Sequence, residues 1–207
     1  MNQKQLRLIL LNNYSSSEKT ELTLRSLGKS TGQKIELVDY RTPSLYEKIM
    51  DKSPDLLFLS GSSHMLTRSE NQRNFEPETR IIRDAEFPIL GICYGHQLIG
   101  KTFGARLSDL GHMCRGFERV KILQDHPIFD DLPNEIRVPE SHRQALANVP
   151  IGFDCLGESA SSKVEIMIHK SRPVYGFQFH PERADEENPD GRVLIQNVLR
   201  LALKTET

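Results

Sequence analysis

The chain has 207 residues, and its 27 Lys and Arg side chains nearly balance its 28 Asp and Glu side chains, which gives a formal net charge of −1. Hydrophobic residues make up 37% and charged residues 27%, so the composition favours one globular domain over residues 1–207 and excludes a disordered chain or a dedicated nucleic-acid-binding protein. No apolar run approaches the roughly 18 residues of a membrane span, and residues Met1 to Gln5 lack the apolar core of a signal peptide, so we expect a cytoplasmic protein with no membrane partner.

The first half of the sequence alternates short apolar segments with longer amphipathic ones. The apolar segments predict strands, and the segments with helical spacing predict helices that end near glycine or proline. The predicted strands cover residues 6–11, 35–38, 55–59 and 88–92, and the predicted helices cover residues 15–29, 44–50, 76–85 and 96–103. Strands that alternate with helices indicate a parallel sheet covered on both faces.

The second half of the sequence has shorter strand-like pieces and one closing helix. The predicted strands cover residues 119–123, 136–138, 164–168 and 174–179, and the predicted helix covers residues 189–203. We expect these strands to form an antiparallel extension beside the main sheet. The predicted fold class is therefore α/β, with a mainly parallel sheet, helices on both faces and a small antiparallel extension.

One of the three cysteines lies in a pattern typical of a nucleophile. Cys93 follows a predicted strand and precedes a predicted helix, and glycines stand two positions away on either side, at Gly91 and Gly95. Small flanking residues allow the sharp strand-to-helix turn that exposes a nucleophile, and a helix N-terminus favours thiolate over thiol. An inert apolar cysteine at a strand end is the alternative for Cys93, and it is the expectation for Cys114 and Cys155.

A nucleophilic cysteine needs a base, and His180 is the best candidate among the seven histidines. It ends the strand-like segment 174–179, and Glu182 follows two positions later. Residues two apart on an extended segment project to the same side, so Glu182 could orient His180 toward Cys93. By itself a His-x-Glu pair is also typical of an exposed strand end.

The segments Gly-Ile-Cys-Tyr-Gly-His-Gln at 91–97 and Phe-Gln-Phe-His-Pro-Glu at 177–182 resemble motifs of the class I glutamine amidotransferases. The resemblance covers nearly the whole chain and implies that family's flavodoxin-like fold. It also implies a triad of Cys93, His180 and Glu182, in which Cys93 attacks the side-chain amide of glutamine and releases ammonia through a glutamyl thioester. Segments 125–133, 141–142 and 172–176 most resemble the GMP synthase branch, which implies a partner synthase that receives the ammonia.

Attack on an amide builds negative charge on oxygen, and two backbone amides are candidate donors to it. One belongs to Tyr94, and the other lies in the turn at residues 60–63. Relatives commonly have Ser-Gly-Gly-Pro in this turn, where this chain has Ser62 and Ser63 at the last two positions. Because a non-glycine residue pays more to adopt positive φ, we expect the oxyanion hole either to be imperfectly formed or to need a conformational step that completes it.

The resemblance also implies residues that contact the substrate. They are Gly61, Gln97, Ser141, His142 and Arg143. Relatives often have glycine at the position of Arg143 and aspartate or an aromatic residue at that of Gln144, so a γ-glutamyl compound other than glutamine stays open as the substrate.

The spacing of the histidines and cysteines does not predict a metal site, and no phosphate-binding or dinucleotide-binding loop is present. We therefore expect no metal and no cofactor. Three functions remain open at this stage. The chain could supply ammonia to a synthase on another chain, act alone as a cysteine hydrolase of γ-glutamyl amides or peptides, or serve as a non-catalytic regulatory protein on the same fold.

Overall fold

The computed structural model describes residues 6–68 and 75–204, so the predicted absence of a signal segment in residues Met1 to Gln5 lies outside the described residues. The helices are α1 (Ser17–Thr31), α2 (Leu45–Lys52), α3 (Glu76–Asp84), α4 (Tyr94–Thr102) and α5 (Asp190–Ala202). The strands are β1 (Leu8–Asn12), β2 (Ile35–Asp39), β3 (Leu56–Leu59), β4 (Ile89–Ile92), β5 (Leu107–Ile122), β6 (Glu135–Leu146), β7 (Phe153–Glu158), β8 (Ile166–His169) and β9 (Val174–Phe177). Within these residues, no helix is both long enough and apolar enough to cross a bilayer.

The nine strands form one mixed sheet in the order β2-β1-β3-β4-β9-β8-β7-β5-β6. The first five strands in this order pair in parallel, and their arrangement is the flavodoxin-like order. The remaining four strands add to this block by antiparallel pairing. The predicted α/β fold class with a parallel sheet and an antiparallel extension is confirmed.

Helices cover both faces of the parallel block because its strands are apolar on both sides. Alternate residues of β1, such as Leu8 and Leu10, pack on one face with Leu27 of α1 and Val198 of α5. The intervening residues of β1, β3 and β4 pack on the opposite face with α2, α3 and α4. The central strands are therefore buried on both faces, and polar groups can gather only where these strands end.

The structure differs from the predicted elements most clearly in the antiparallel part. The strands predicted at 119–123 and 136–138 are the ends of the long strands β5 and β6, and β7 was not predicted. Most residues of β5 are exposed or half-buried, so they lack the alternation of apolar and polar side chains that marks a half-buried strand. Gly111 and Gly116 also have positive φ within it, and the pairing with β6 shifts register between Asp109 and Cys114.

The parallel block brings three segments of the chain to one edge of the sheet. The turn beginning at Ser60 follows β3, Cys93 follows β4, and the segment from Gln178 to His180 follows β9. Since β3, β4 and β9 are neighbours that run in the same direction, their carboxyl ends meet. Ligands of open α/β sheets bind at this edge.

Candidate active site

Cys93 occupies the sharp turn between β4 and α4, with a backbone φ of 51° and ψ of −97°. A non-glycine residue in this conformation carries about 1–3 kcal/mol of strain, so neighbouring contacts must hold it. A Cβ on Gly91 would lie 2.6 Å from the carbonyl carbon of Gly95, and one on Gly95 would lie 2.7 Å from Cβ of Leu59. Both glycines are therefore needed for the close approach that makes the turn, as the sequence pattern indicates.

His180 and Glu182 follow β9, and both side chains are buried. Nδ1 of His180 lies 2.8 Å from Oε1 of Glu182. Because a carboxylate can only accept, Nδ1 carries the hydrogen and Nε2 keeps its lone pair. The backbone N–H of His180 donates to the carbonyl of Pro139 at 2.8 Å, which ties this segment to β6. The pair has the arrangement of an oriented general base.

Burial dominates the protonation of these groups. It raises the pKa of the Cys93 thiol to about 12, an effect that the charge of Glu140 increases and that of Arg183 opposes. Burial also lowers the pKa of His180 below its usual range, although the charge of Glu182 partly offsets this. For Glu182, burial favours a higher pKa, but the neighbouring His180 outweighs it and holds that pKa below the usual range.

At neutral pH the resting site therefore holds a thiol, a neutral imidazole and a carboxylate. This corrects the expectation that the N-terminus of α4 favours a thiolate at Cys93. The helix dipole is worth about 0.3–1 kcal/mol at an exposed terminus, whereas desolvation of a buried anion can shift a pKa by several units. The nucleophile must consequently lose its proton during the reaction rather than before it.

Eight of the ten predicted site residues line one cavity of about 310 Å³. They are Ser62, Cys93, Tyr94, Gln97, Ser141, His142, Arg143 and His180. The volume is at the lower end of small-ligand sites, which span roughly 300–1,000 Å³, so it suits a ligand of amino-acid size. The other two, Gly61 and Glu182, are buried outside the lining.

The two predicted oxyanion donors, Ser62 and Tyr94, line the cavity, and the conformational step at Ser62 stays a prediction. Among the described non-glycine residues, positive φ occurs only at Ser44, Ser53, Cys93 and Asp131, so the turn does not require a left-handed Ser62. Its Oγ instead donates to the carbonyl of Asn13 at 2.7 Å and accepts from the backbone N–H of His64 at 3.0 Å. These two bonds, which glycine could not make, hold the turn.

The predicted substrate-binding residues differ in the hydrogen bonds that their side chains make within the protein. Gln97 is buried, and its Nε2 donates to the carbonyl of Gln144 at 2.7 Å and to Oε1 of Gln178 at 3.2 Å. Gln178 in turn places its Nε2 3.9 Å from Sγ of Cys93. Gln97 therefore stabilises the cavity wall next to Cys93. Its side-chain N–H groups already donate to other protein groups.

Ser141 and Arg143 lie on the opposite wall, on β6. The carbonyl of Ser141 lies 3.8 Å from Sγ of Cys93. Arg143 is half-exposed at the mouth of the cavity, where its Nε donates to Oδ1 of Asp109 at 2.9 Å. One side of the guanidinium is thus paired with Asp109.

Two further residues at the site were missed by sequence reasoning. Tyr14, which follows β1, lines the cavity, and its hydroxyl accepts from Nη2 of Arg183 at 3.2 Å. Arg183 also places Nε 3.5 Å from Oε1 of Glu182. A Cβ on Gly61 would lie 2.9 Å from Cε1 of His180, so this glycine makes room for the imidazole. Only the position of Arg183 next to Glu182 offered a signal in the sequence.

The expectation of no metal site rested on spacing along the chain, but it missed one His-x-Cys spacing that the sequence contains. His112 and Cys114 form a His-x-Cys pair with Nε2 and Sγ 3.8 Å apart. Independently, Glu140, His142 and Glu165 bring one potential ligand atom each to within 4.8 Å of one another. The second group draws its members from β6 and from the segment before β8, so spacing could not reveal it.

Comparisons with known proteins agree with the fold and identify the family. Residues 9–200 match the family model described as glutamine amidotransferase class-I. One subunit of the glutamine-hydrolysing GMP synthase of Pyrococcus abyssi is 34% identical over 179 residues, which cover 86% of this chain and 89% of that protein. The corresponding subunit of Methanothermobacter thermautotrophicus is 35% identical over 176 residues, covering 84% and 88%.

Solved structures show the same likeness. The crystal structure of a protein of Thermoplasma acidophilum, described as a putative subunit of GMP synthase, has a TM-score of 0.83 and 29% identity, and the match covers 99% of this chain and 98% of that one. A glutamine amidotransferase of Thermotoga maritima has a TM-score of 0.68 at 18% identity, over 98% and 96% of the two chains. The second likeness concerns the fold alone.

Proposed function

The chain belongs to the class I glutamine amidotransferases, and we propose that it hydrolyses the side-chain amide of glutamine and passes the ammonia to a synthase on a separate chain. The observation that supports this most directly is the meeting of a strained cysteine turn and an oriented His–Glu pair in one cavity. Cys93 supplies the nucleophile, His180 the base and Glu182 the orienting carboxylate.

The reaction proceeds in two halves. Sγ of Cys93 bonds to the amide carbon while its proton moves to Nε2 of His180, and the imidazolium then gives that proton to the leaving nitrogen as the C–N bond breaks. Ammonia departs and a glutamyl thioester remains. His180 next takes a proton from water, the resulting hydroxide bonds to the thioester carbon, and glutamate leaves as Cys93 regains its proton. Glu182 stabilises the imidazolium in both halves.

Two backbone amides stabilise the negative oxygen of each tetrahedral intermediate. The N–H of Tyr94 already donates toward Sγ of Cys93, a bond that opposes the effect of burial on that pKa. The second donor would be the N–H of Ser62, in the turn after β3 that the Ser62 side chain holds in place. Loss of one such donor costs roughly 10²–10³ in rate in other enzymes.

The synthase that best fits this proposal is one that makes GMP. Support comes from the relatives of similar length, which are named as subunits of a glutamine-hydrolysing GMP synthase. This chain aligns with nearly all of their length, and their naming as subunits supports a synthase on a separate chain.

A second candidate is a hydrolase of γ-glutamyl compounds that carry additional carboxylates. Lys19, Arg115, Arg143 and Arg183 line the cavity, and its described lining includes no Asp or Glu side chain. A cationic site of this kind attracts anionic ligands. The same four cations can also bind the α-carboxylate of glutamine itself, so this observation does not outweigh the first proposal.

Transfer of labelled nitrogen tests the proposal. Glutamine carrying ¹⁵N in its side-chain amide is supplied to the chain with and without the GMP-forming synthase of the same organism. We expect the label in GMP, together with faster glutamate release when the synthase is present. With Cys93→Ala as the control, the synthase should form GMP only from added ammonium. The second candidate would be supported by three results together. The rate of glutamate release does not change when the synthase is added, the GMP carries no label, and γ-glutamylglutamate is cleaved faster than glutamine.

The pH dependence of glutamate release provides a further prediction. His180 must be neutral to accept a proton, and its pKa lies below the usual value of about 6.5. Activity should therefore be lost only as the pH falls below about 6.5, and kcat/KM should be flat from there to about pH 9, since the pKa of Cys93 is about 12. The measurement is kcat/KM across this range. An increase centred between pH 7 and pH 9 would contradict it and indicate that thiolate formation limits the reaction.

A further inference from the structure

A second group of ionisable side chains lies beside the active-site cavity. Glu140 and His142 are two apart on β6 and so project to the same side. Glu165 immediately precedes β8, and its backbone N–H donates to the carbonyl of Gly157 at 2.9 Å. All three side chains are buried, and Nε2 of His142 lies 3.2 Å from Oε2 of Glu140. We refer to Glu140, His142 and Glu165 as the Glu140 cluster.

Carboxyl oxygens and one imidazole nitrogen face one another in the Glu140 cluster. Nδ1 of His142 lies 3.1 Å from the carbonyl of Gln144, and because a carbonyl only accepts, Nδ1 carries the hydrogen and Nε2 presents its lone pair. Both oxygens of Glu140 and Oε2 of Glu165 have no hydrogen-bond partner within the described part of the chain. Buried carboxyl groups and an imidazole lone pair that meet in this way need either a proton or a metal cation between them.

Hydrogen bonds from neighbouring groups hold the side chains of the Glu140 cluster in place, as they do for the ligands of a metal site. A metal-binding histidine almost always donates its other N–H to a carbonyl or carboxylate, as His142 does to Gln144. Oγ of Ser159 donates to Oε1 of Glu165 at 2.7 Å. Oγ of Ser161 donates to Glu118 at 2.6 Å, which anchors the same loop to β5. Oε2 of Glu165 is left to face the cluster.

An entry path is also present. A surface depression lined by Glu118, Glu140 and Ser161 reaches the cluster from outside, while His142 lines the active-site cavity on the other side. A small ion could therefore enter without passing the nucleophile.

We propose that the Glu140 cluster binds one divalent transition-metal ion of the Zn²⁺ type. Two carboxylates and one imidazole form a three-residue protein set that leaves a fourth position for water. Bonds of about 2.0–2.2 Å place two ligand atoms of a tetrahedral site about 3.3–3.5 Å apart, close to the 3.2 Å between His142 and Glu140. Glu165, within 4.8 Å of both, closes the remaining gap on binding. The imidazole favours Zn²⁺ over Mg²⁺.

Metal titration of the purified chain tests this proposal. After treatment with EDTA and its removal, calorimetry with Zn²⁺ should show one site per chain with a Kd of about 1 µM or below. Glu140→Gln and Glu165→Gln keep the shape of the side chain but remove its charge, and each should weaken binding about 100-fold or more. Glu78→Gln is the matched control, because Glu78 is equally buried and also has an unpartnered oxygen but has no place in the cluster. It should leave binding unchanged.

Co²⁺ gives an independent measurement on the wild-type chain. Bound at the cluster, it should lack the intense near-ultraviolet absorption of a thiolate complex, and the site should persist in Cys93→Ala and Cys114→Ser. Thiolate absorption, or loss of the site in either cysteine variant, would place the metal at Cys93 or beside His112 instead and overturn the proposal. So would the absence of any Zn²⁺ site, which would mean that protons alone neutralise the cluster.

Discussion

Replacing Cys93 with alanine should abolish glutamate release from glutamine while leaving the fold intact. The substitution removes the only atom that forms the thioester, and loss of a nucleophile of this kind costs roughly 10⁴–10⁶-fold in kcat. The polar contacts of Sγ with the carbonyl of Ser141 and the amide of Gln178 are long, at 3.8 Å and 3.9 Å. We therefore expect a loss of stability of about 1 kcal/mol, measured by thermal unfolding beside the activity assay.

The other two cysteines supply the matched control. Cys114 and Cys155 are half-buried and lie outside the cavity lining, so Cys114→Ser and Cys155→Ser should retain activity. A glutamine analogue that carries a diazoketone should label Cys93 alone, as mass spectrometry of the digested protein would reveal. Full turnover by Cys93→Ala, or labelling at either of the other cysteines, would remove the proposed role of Cys93.

The parallel block and the cysteine turn could be predicted from the sequence because both depend on local patterns. Strands that are buried on two faces appear in the sequence as short apolar runs. The turn at Cys93 depends on Gly91 and Gly95, which lie two residues away. The pair of His180 and Glu182 is local in the same sense, being two residues apart. In these places the chain's neighbours along the sequence are also its neighbours in space.

What could not be predicted depends on contacts between distant segments. Tyr14 meets Arg183 across 169 positions of sequence, and no pattern near either residue indicates the other. The protonation of Cys93 was misjudged for the same reason, since the helix N-terminus is visible in the sequence but the burial that outweighs it is not. Glu140 and Glu165 likewise meet only because β8 pairs with β9 and with β7. Of these three strands, β7 was not predicted.

The second large effect is expected at His180. His180→Ala should reduce glutamate release about as far as Cys93→Ala does, because no other described side chain is positioned by Glu182 to take the thiol proton. Glu182→Gln should leave measurable turnover, roughly 10²-fold above that of His180→Ala. Its amide oxygen can still accept from Nδ1 of His180, so the tautomer survives while stabilisation of the imidazolium is weakened.

The comparison requires a check on folding, because Glu182 is buried with Oε2 unpartnered. An amide group there buries an unpaired N–H and costs about 1–3 kcal/mol, so activity should be measured well below the unfolding temperature of each variant. Glu186→Gln, an exposed change in the same loop, should leave kcat, KM and stability unchanged. If Glu182→Gln and His180→Ala lose activity equally while both remain folded, the division between an orienting carboxylate and a proton-transferring imidazole is wrong, and the two residues act as one unit.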